Sequence, residues 1–423
     1  MHLDLQQKTL ALLERTVCHT DRVFARQLLL DFQGRRSPSR RLRGEEPLAT
    51  WEVRDGVCIS FGALSRLSGS PVEQLRAALD WGREHVGTAG AAVGFFGYEF
   101  ARYLEPRALP YLPSNDLGLP EARLVFCRRL VEEASPPAQS APDLPLVPPP
   151  TEGGNFYRRG VGTIREYIAS GDIYQANLTH RFCAPLPCSP AELYARLRAF
   201  HPMPYAALLE WDDCAIVSNS PELFLEAKNG TLRSAPIKGT IRRGATPEED
   251  EMLKQALQHS AKDRAENVMI VDLLRNDLGR VCAMGSVRVP ALFEVQTFGT
   301  LHHLVSTIEG ELRPDCDALD AFCAAFPCGS ITGAPKIRAM QILSQLEPVR
   351  RGVSMGAVGY FGFNGDMEWN VAIRTATCIR DRAYWHAGGG IVWDSDAASE
   401  EAEMRLKASA LARALDAGSG VGG

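Results

Sequence analysis

The stretch LFLEAKNGTLRSAPI, Leu223 to Ile237, decides the fold class of this 423-residue chain. Its two strand-like runs flank the pair Asn229-Gly230. That dipeptide is a strong signal for a tight turn between antiparallel strands, because Asn and Gly accept the positive φ angles that the turn requires. The stretch therefore predicts a β-hairpin and indicates antiparallel pairing in the surrounding sheet.

Other strand-like runs precede and follow this hairpin, and helical stretches are interspersed among them. Thr246 and Pro247 are typical of the cap and first turn of a helix, which we expect to reach about Leu278 with a break near Ser260. A later helix is predicted for SEEAEMRLKASALARAL. Because the strands cluster in hairpins and do not alternate strictly with helices, the predicted fold class is α+β with mainly antiparallel sheet.

A proline-rich segment divides the sequence. Residues 134–154, ASPPAQSAPDLPLVPPPTEGG, contain seven prolines and few large apolar side chains, a composition typical of an extended linker or surface loop. We therefore expect an N-terminal part over residues 1–133, a larger region over 155–416 and a flexible tail over 417–423.

The bulk composition argues against several classes of protein. Hydrophobic residues make up 45% of the chain and the net charge is −5, which indicates neither a nucleic-acid partner nor an anionic membrane surface. The basic run GRRSPSRRLRG, Gly34 to Gly44, is interpreted as a solvated loop. No apolar run approaches membrane-spanning length. Eleven cysteines without a Cys-x-x-Cys pair indicate a reducing compartment, so the sequence predicts a cytoplasmic protein with no membrane partner.

One lysine is notable for its surroundings. In APIKGTIRRG, Ala235 to Gly244, Lys238 lies between an apolar Pro-Ile pair and a Gly-Thr turn. Partial desolvation favours the neutral amine, which is the nucleophilic form of lysine. Glu222 precedes Lys238 by sixteen residues, and the intervening hairpin can bring both side chains to one rim. The pair suits a proton donor and a nucleophile, with a salt bridge or a solvated strand-end lysine as the alternatives.

Two pairs of acids share one geometry. Asp263 and Glu266 are three residues apart in a predicted helix, so both face one side of it. Glu400 and Glu403 repeat this spacing in the last predicted helix. Four carboxylates from two facing helices suit a hard cation such as Mg²⁺, whereas two solvated helix faces are the alternative.

Glycine-rich turns are a further feature that suits a ligand. FPCGSITGAPK, residues 326–336, and HAGGGIVWD, residues 386–394, each bring several backbone N–H groups within reach of an anion, although tight turns in a sheet explain them as well. Arg374 lies among the apolar residues of VAIRTA, where a half-buried guanidinium requires a carboxylate from the protein or from a ligand. No Walker A or Rossmann glycine pattern opens a helix, so nucleotide binding is not predicted.

Taken together, these stretches resemble the family of chorismate-utilising enzymes. The matching motifs extend from about Phe156 to the C-terminus and are GDIYQANLTHRF, SNSPELFLE, PIKGT, KDRAENVMIVDLLRNDLGRV, HHLVSTIEG, FPCGSITGAPK, GAVGYFGF, AIRTA and GGGIVWDSD. The similarity is weaker before the proline-rich segment, where GFFGYEF matches. The resemblance implies a single large chorismate-binding fold of antiparallel sheets packed as a sandwich with helices outside, residues 1–133 being its N-terminal part.

Within that family, the resemblance makes Lys238 the residue that separates the activities. Anthranilate synthases carry alanine at this position, whereas lysine is typical of the large subunit of aminodeoxychorismate synthases, which serve 4-aminobenzoate and folate synthesis. Isochorismate and salicylate synthases carry a water-activating lysine where this chain has Gln175. By resemblance, Lys238 attacks C2 of chorismate, Glu222 protonates the departing C4 hydroxyl, and ammonia then adds at C4 and expels the lysine.

The resemblance also implies the remaining site residues. Glu266 and Glu403 match the family's magnesium ligands, and Asp263 and Glu400 match the acids beside them. His303 matches a histidine near the reacting ring and completes the catalytic set of Lys238, Glu222 and His303. The substrate-binding positions are Gly239, Thr240, Tyr360, Arg374, Gly388, Gly390 and Lys407.

Some features depart from the family pattern. Ser354 stands where many relatives carry tyrosine, and Phe32 stands where relatives often carry serine in a tryptophan-binding motif. No glutamine amidotransferase domain is recognised, so ammonia is expected from a separate glutaminase subunit or from solution. An anthranilate synthase that carries lysine is an alternative, and so is a non-catalytic scaffold that binds chorismate or a glutaminase.

Overall fold

The computed structural model describes residues 25–32, 39–64, 67–135, 149, 155–298 and 301–416. The strands in these ranges are β1 Gln27–Phe32, β2 Arg40–Arg54, β3 Val57–Gly62, β4 Ala91–Phe96, β5 Ala122–Ala134, β6 Gln175–Pro185, β7 Tyr205–Glu210, β8 Ala215–Ser220, β9 Leu223–Lys228, β10 Thr231–Ala235, β11 Ile237–Arg242, β12 Arg288–Phe298, β13 Leu301–Glu311, β14 Gly333–Ala334, β15 Ala357–Gly362, β16 Met367–Val371, β17 Thr375–Ile379 and β18 Arg382–Ile391. The helices are α1 Pro71–His85, α2 Ala101–Leu104, α3 Phe156–Ala169, α4 Pro190–Phe200, α5 Pro247–His259, α6 Ala261–Gly279, α7 Ala318–Ala325, α8 Lys336–Leu346 and α9 Ala397–Asp416.

The strands join in one hydrogen-bonded network, and the strand pairs of the described ranges are antiparallel. The predicted hairpin is present: β9 pairs with β10 around Asn229 and Gly230, whose φ angles are 51° and 75°. Both central residues have positive φ, as a type I′ turn requires. The prediction of an α+β fold with antiparallel sheet is confirmed.

Apolar side chains on both faces of the strands give the molecule its layers. In β4, Val93 and Phe95 contact one apolar cluster, whereas Ala92 and Phe96 contact another, because successive side chains of a strand point to opposite faces. The first cluster also contains residues of β1, β2, β5, β7, β8 and β15, so it lies between two groups of strands. The outward faces are covered by α1, α6 and α7 on one side and by α3, α4, α8 and α9 on the other. The predicted sandwich with helices outside is confirmed.

The long helical stretch is broken where the sequence predicts the break. Thr246 Oγ1 accepts a hydrogen bond from the backbone N–H of Glu249 at 3.2 Å and caps α5. Ser260 ends α5 and caps α6, because its Oγ accepts from the backbone N–H of Asp263 at 3.3 Å. Each cap satisfies an N–H group that has no partner inside its helix. The second cap places Asp263 and Glu266 near the start of α6.

The interpretation of the basic run as a solvated loop is wrong for residues 40–44, which belong to β2. Arg40 forms an ion pair with the buried Glu368, and Arg41 with the buried Asp31 at 2.8 Å. A buried carboxylate stabilises a neighbouring guanidinium, so these arginines are accommodated in a strand. Residues 33–38 lie outside the described residues.

The proline-rich segment lies outside the described residues except at positions 134, 135 and 149, and so does the predicted tail over 417–423. None of the helices in the described ranges has the length and hydrophobicity that crossing a bilayer requires. The cysteines within those ranges are free thiols.

Candidate active site

A cavity of about 690 Å³ opens between β11, β18, α6 and α9. Every predicted site residue except Tyr360 lines this cavity: Lys238, Glu222 and His303; Gly239, Thr240, Arg374, Gly388, Gly390 and Lys407; and Asp263, Glu266, Glu400 and Glu403. The antiparallel network and the two acid-bearing helices thus bring together residues that are up to 185 positions apart, from Glu222 to Lys407.

Lys238 lies at an irregular point of its strand. The pairing of β11 with β13 shifts register between Ile237 and Thr240, and Gly239 within the shift has a φ of 86°. A bulge of this kind redirects a side chain relative to the regular pleat. The Nζ atom of the half-buried Lys238 donates to the carbonyl oxygen of Ser330 at 3.4 Å.

The charge state of Lys238 is shifted toward the neutral amine. Burial lowers the pKa of Lys238, and the neighbouring ammonium of Lys407 lowers it further. The carboxylates of Glu266 and Glu222 oppose this pKa shift without cancelling it. The desolvation that the sequence predicts for this lysine is therefore present.

Glu222 lies immediately before β9 and is 3% exposed. Burial raises the pKa of Glu222 to about 7, although a hydrogen bond from Ser330 and the charge of Lys238 lower it in part. Its Oε1 atom has no hydrogen-bond partner among the described residues. Near neutral pH, a substantial fraction of Glu222 carries a proton that it can donate into the cavity. The prediction that the hairpin brings this acid and Lys238 to one site is confirmed.

The wall opposite Lys238 requires glycine. A Cβ atom at Gly390 would collide with the side-chain amide of Gln175 and would lie 3.5 Å from Lys238 Nζ. A Cβ atom at Gly388 would collide with the backbone carbonyl of Leu178. Gln175 is fully buried, and neither of its amide atoms has a hydrogen-bond partner among the described residues. This neutral side chain stands beside Lys238 and cannot act as a base.

The two acid pairs face the cavity from α6 and α9. Burial raises the pKa of Glu266, and the negative charges of Asp263 and Glu403 add to this pKa shift. The pKa of Glu403 is lowered, first by the ammonium of Lys407, whose Nζ lies 2.7 Å from Glu403 Oε1. Glu400 is buried and accepts a hydrogen bond from Ser395 Oγ at 2.7 Å.

These acids match the donors that Mg²⁺ prefers, since carboxylate oxygens are hard ligands. In the part of the chain that the structure describes, no three His, Cys, Asp or Glu side chains converge closely enough to form a preformed metal centre. Mg²⁺ usually takes only one or two carboxylates from the protein and completes its shell with water and substrate. Glu266 and Glu403, whose charges influence each other across the cavity, therefore fit this cation.

Arg374 and His303 line the cavity wall beside Thr240. Arg374 has a left-handed φ of 50° and donates from Nη1 to His201 Nε2 at 3.0 Å. Burial lowers the pKa of Arg374 to about 10, so the guanidinium remains charged at neutral pH. His303 Nδ1 lies 2.9 Å from Thr240 Oγ1, and burial lowers the pKa of His303 to about 3. His303 is thus a neutral hydrogen-bonding ring at this site.

Tyr360 lies elsewhere: the structure contradicts its predicted place among the substrate-binding residues of the cavity. Its side chain belongs to the apolar cluster between the two groups of strands, with its ring centroid 6.4 Å from that of Phe32. Tyr360 and Val358 are two positions apart in β15, so both point to that inner face. The glycine-rich motif around Tyr360 does not reveal which face of the strand the tyrosine takes.

Several polar residues line the cavity although the sequence analysis does not predict them as site residues: Asn177, His201, Lys262, Ser330 and His386. His386 opens the HAGGGIVWD run, which the glycines alone made notable, and its Nδ1 lies 3.2 Å from Thr179 Oγ1. Lys262 directly precedes Asp263, so its position next to the first acid pair is visible in the sequence. His201 follows α4 and carries no local signal.

Comparison with known proteins gives the class of this fold and cavity. Residues 133–413 match the family described as chorismate binding enzyme, so the chain belongs to the chorismate-binding enzyme family. Aminodeoxychorismate synthase component 1 of Bacillus subtilis is 37% identical, and the match covers 89% of this chain and 89% of the relative. Anthranilate synthase component 1 of Bacillus caldotenax is 38% identical, and the match covers 79% of this chain and 75% of the relative. The crystal structure of anthranilate synthase component I from Streptococcus pneumoniae has a TM-score of 0.75 at 30% identity and covers 90% of this chain and 93% of that one.

Proposed function

We propose that this chain catalyses the chorismate-aminating step of an aminodeoxychorismate synthase. In this reaction, chorismate and ammonia form 4-amino-4-deoxychorismate and water. The aminated product serves the synthesis of 4-aminobenzoate and folate. The observation that carries the proposal is the position of Lys238: its partly desolvated amine lines the cavity beside Glu222, an acid with a raised pKa. An amine and a carboxylic acid at one cavity supply the nucleophile and the proton donor that the reaction needs.

The proposed reaction consists of two displacements. The lone pair of Lys238 forms a bond to C2 of chorismate, the ring double bonds shift, and the C4–O bond breaks. Glu222 donates its proton to the departing hydroxyl, which leaves as water. Ammonia then bonds to C4, the double bonds shift back, and the bond from C2 to Lys238 breaks, which releases the neutral amine of Lys238. The new ammonium group at C4 gives up one proton, which restores the protonated form of Glu222. Because the second displacement retraces the facial course of the first, ammonia enters C4 on the face that the hydroxyl left, and the ring configuration is kept.

Charged groups of the cavity suit the two carboxylates of chorismate. Arg374, Gly388 and Gly390 line the cavity, and in the proposed complex the guanidinium and the backbone N–H groups around the two glycines bind one carboxylate. Glu266 and Glu403 would hold Mg²⁺, with Asp263 and Glu400 beside them. When bound, the cation supplies a Lewis acid that binds the ring carboxylate and polarises the ring.

A separate glutaminase subunit is proposed as the source of ammonia. The relatives are named component 1, which implies a further component in those proteins. The free thiols of the described cysteines fit the reducing cytoplasm that we propose as the location.

Anthranilate synthesis is the second candidate, because an anthranilate synthase component is 38% identical to this chain. The test incubates the purified chain with chorismate, Mg²⁺ and an ammonium salt and separates the products by chromatography. We expect 4-amino-4-deoxychorismate, which a purified lyase converts to 4-aminobenzoate. Fluorescent anthranilate formed without the lyase would identify the second candidate, and chorismate binding without any turnover would indicate a scaffold.

The pKa values predict the dependence of the rate on pH. Glu222 loses its proton as the pH rises through about 7, whereas Lys238 gains its neutral form as the pH rises. We therefore expect a bell-shaped profile of kcat/KM when the concentration of free ammonia is held constant. Glu222→Gln is expected to lower the rate by about 10²-fold or more and to remove the alkaline decline.

Glu226→Gln serves as the matched control for this profile, because Glu226 lies in β9 four residues further on and does not line the cavity. Its profile is expected to match that of the wild type. An alkaline decline that persists in Glu222→Gln would show that another group donates the proton.

A further inference from the structure

Arg374 lacks the partner that a guanidinium in a protein wall usually has. It is half-buried, and its hydrogen bonds go to His201 Nε2 at 3.0 Å and to Met203 Sδ at 3.2 Å. In the described part of the chain, no carboxylate forms an ion pair with it, and burial is the cause of its lowered pKa. A desolvated cation without a counter-charge is unfavourable unless a ligand supplies the anion.

The hydrogen bond to His201 defines the state of that ring. A guanidinium has only donors, so Nε2 of His201 must be the acceptor, with the ring proton on Nδ1. Burial, together with the charges of Arg374 and Arg413, lowers the pKa of His201 to about 3. The ring is thus neutral, and it contacts Arg374 without contributing charge.

Asn219 ties the backbones of this pair together. This residue of β8 is 1% exposed; its backbone N–H donates to Arg374 O at 3.1 Å, and its Nδ2 donates to His201 O at 2.8 Å. The side-chain bond between Arg374 and His201 closes a ring of three hydrogen bonds. The left-handed φ of 50° at Arg374 is held inside this ring. The geometry therefore fixes where the guanidinium is presented to the cavity.

We infer that His201 is a positioning residue that holds Arg374 through a neutral hydrogen bond, so that the full positive charge remains available for a carboxylate of the substrate. A carboxylate in place of the imidazole would hold the guanidinium more strongly but would neutralise it. The inference rests on the proposed function only in taking chorismate as the carboxylate ligand.

The test compares His201→Gln with His201→Glu. Both side chains reach about as far as Nε2 and offer an oxygen acceptor, and they differ by one charge. We expect His201→Gln to keep KM and Kd for chorismate within about fivefold of the wild-type values. His201→Glu should raise both constants by about 30-fold or more and change kcat less than about threefold, because a loss of binding that affects ground state and transition state equally raises KM and leaves kcat unchanged. His85→Gln and His85→Glu, on an exposed histidine of α1 that does not line the cavity, are the matched controls.

Binding is measured by calorimetry and turnover by chromatography. A failure of the inference about His201 can therefore be distinguished from a failure of the proposed function. Equal Kd values for the Gln and Glu variants, in an enzyme that makes 4-amino-4-deoxychorismate, would overturn the inference alone. A persisting difference in Kd with another product would overturn the proposed function alone, and no chorismate binding by the wild type would overturn both. If His201→Glu does not fold, His201→Leu should weaken binding about tenfold relative to His201→Gln, and equal binding by these two would overturn the inference.

Discussion

Lys238→Ala is expected to lower the formation of 4-amino-4-deoxychorismate by about 10³-fold or more, as removal of a catalytic nucleophile typically does. The substitution removes the only amine that the proposal places at C2 and leaves Glu222, Arg374 and the acid pairs in the cavity wall. Because the half-buried Lys238 donates a single long hydrogen bond within the described residues, of 3.4 Å to Ser330, we expect the fold to be retained. The melting temperature should therefore change by a few degrees at most.

The same variant is expected to gain a new product. Without lysine at C2, ammonia can attack that carbon directly, with Glu222 still present to protonate the departing hydroxyl. We expect the C2 amination product or anthranilate, detected by fluorescence and chromatography. Lys228→Ala, at the exposed end of β9, is the control and should make the wild-type product at the wild-type rate.

A second measurement addresses the covalent intermediate. Wild-type enzyme given chorismate without ammonia should show a mass increase on the peptide that contains Lys238, and the alanine variant should show none. Full formation of 4-amino-4-deoxychorismate by Lys238→Ala would contradict the covalent mechanism. Lys238 would then be an ordinary strand-end lysine.

The features that the sequence predicts correctly depend on few neighbours. The hairpin at Asn229-Gly230 and the break at Ser260 follow from local backbone preferences, which the rest of the fold does not override. The two acid pairs were found because spacing within one helix determines which face they share. Whether the two helix faces line the same cavity depends on the tertiary structure, which the spacing does not specify. The family resemblance indicates that they do.

The features that the sequence does not predict correctly depend on which residues surround a side chain in the folded structure. The basic run does not reveal the ion pairs of Arg40 and Arg41, because their partners, Glu368 and Asp31, belong to other strands. The family motif predicts Tyr360 at the cavity, although its strand directs the side chain to the apolar cluster between the two groups of strands. His201 gave no signal, since its contact with Arg374 joins residues 173 positions apart. Local sequence does not specify such pairs.

Removing either proposed magnesium ligand is expected to abolish activity while the fold is retained. Glu266→Gln and Glu403→Gln each take one carboxylate from a site that Mg²⁺ needs, and we expect turnover to fall by about 10²-fold or more, as loss of several kcal/mol of transition-state stabilisation implies. Asp272→Asn, on the exposed side of α6, is the control and should keep wild-type turnover.

The two variants should differ in stability when magnesium is absent. The pKa of Glu266 is raised, so at neutral pH its charge opposes folding, and Glu266→Gln should raise the melting temperature. The pKa of Glu403 is lowered by Lys407, so its charge favours folding above its unfolded pKa. Glu403→Gln should therefore lower the melting temperature slightly, because about half of each partner is exposed and the pair is screened.

Magnesium titration connects the two measurements. In the wild type, Mg²⁺ should raise the melting temperature, because the ion binds the folded chain. It would also offset the burial and the smaller carboxylate repulsion that together raise the pKa of Glu266. Neither glutamine variant should respond at the same concentrations, whereas Asp272→Asn should respond as the wild type does. Undiminished turnover by the EDTA-treated wild type would contradict the metal assignment. The opposite changes in melting temperature of Glu266→Gln and Glu403→Gln would then reflect only the balance of charges around Lys407 and Lys238.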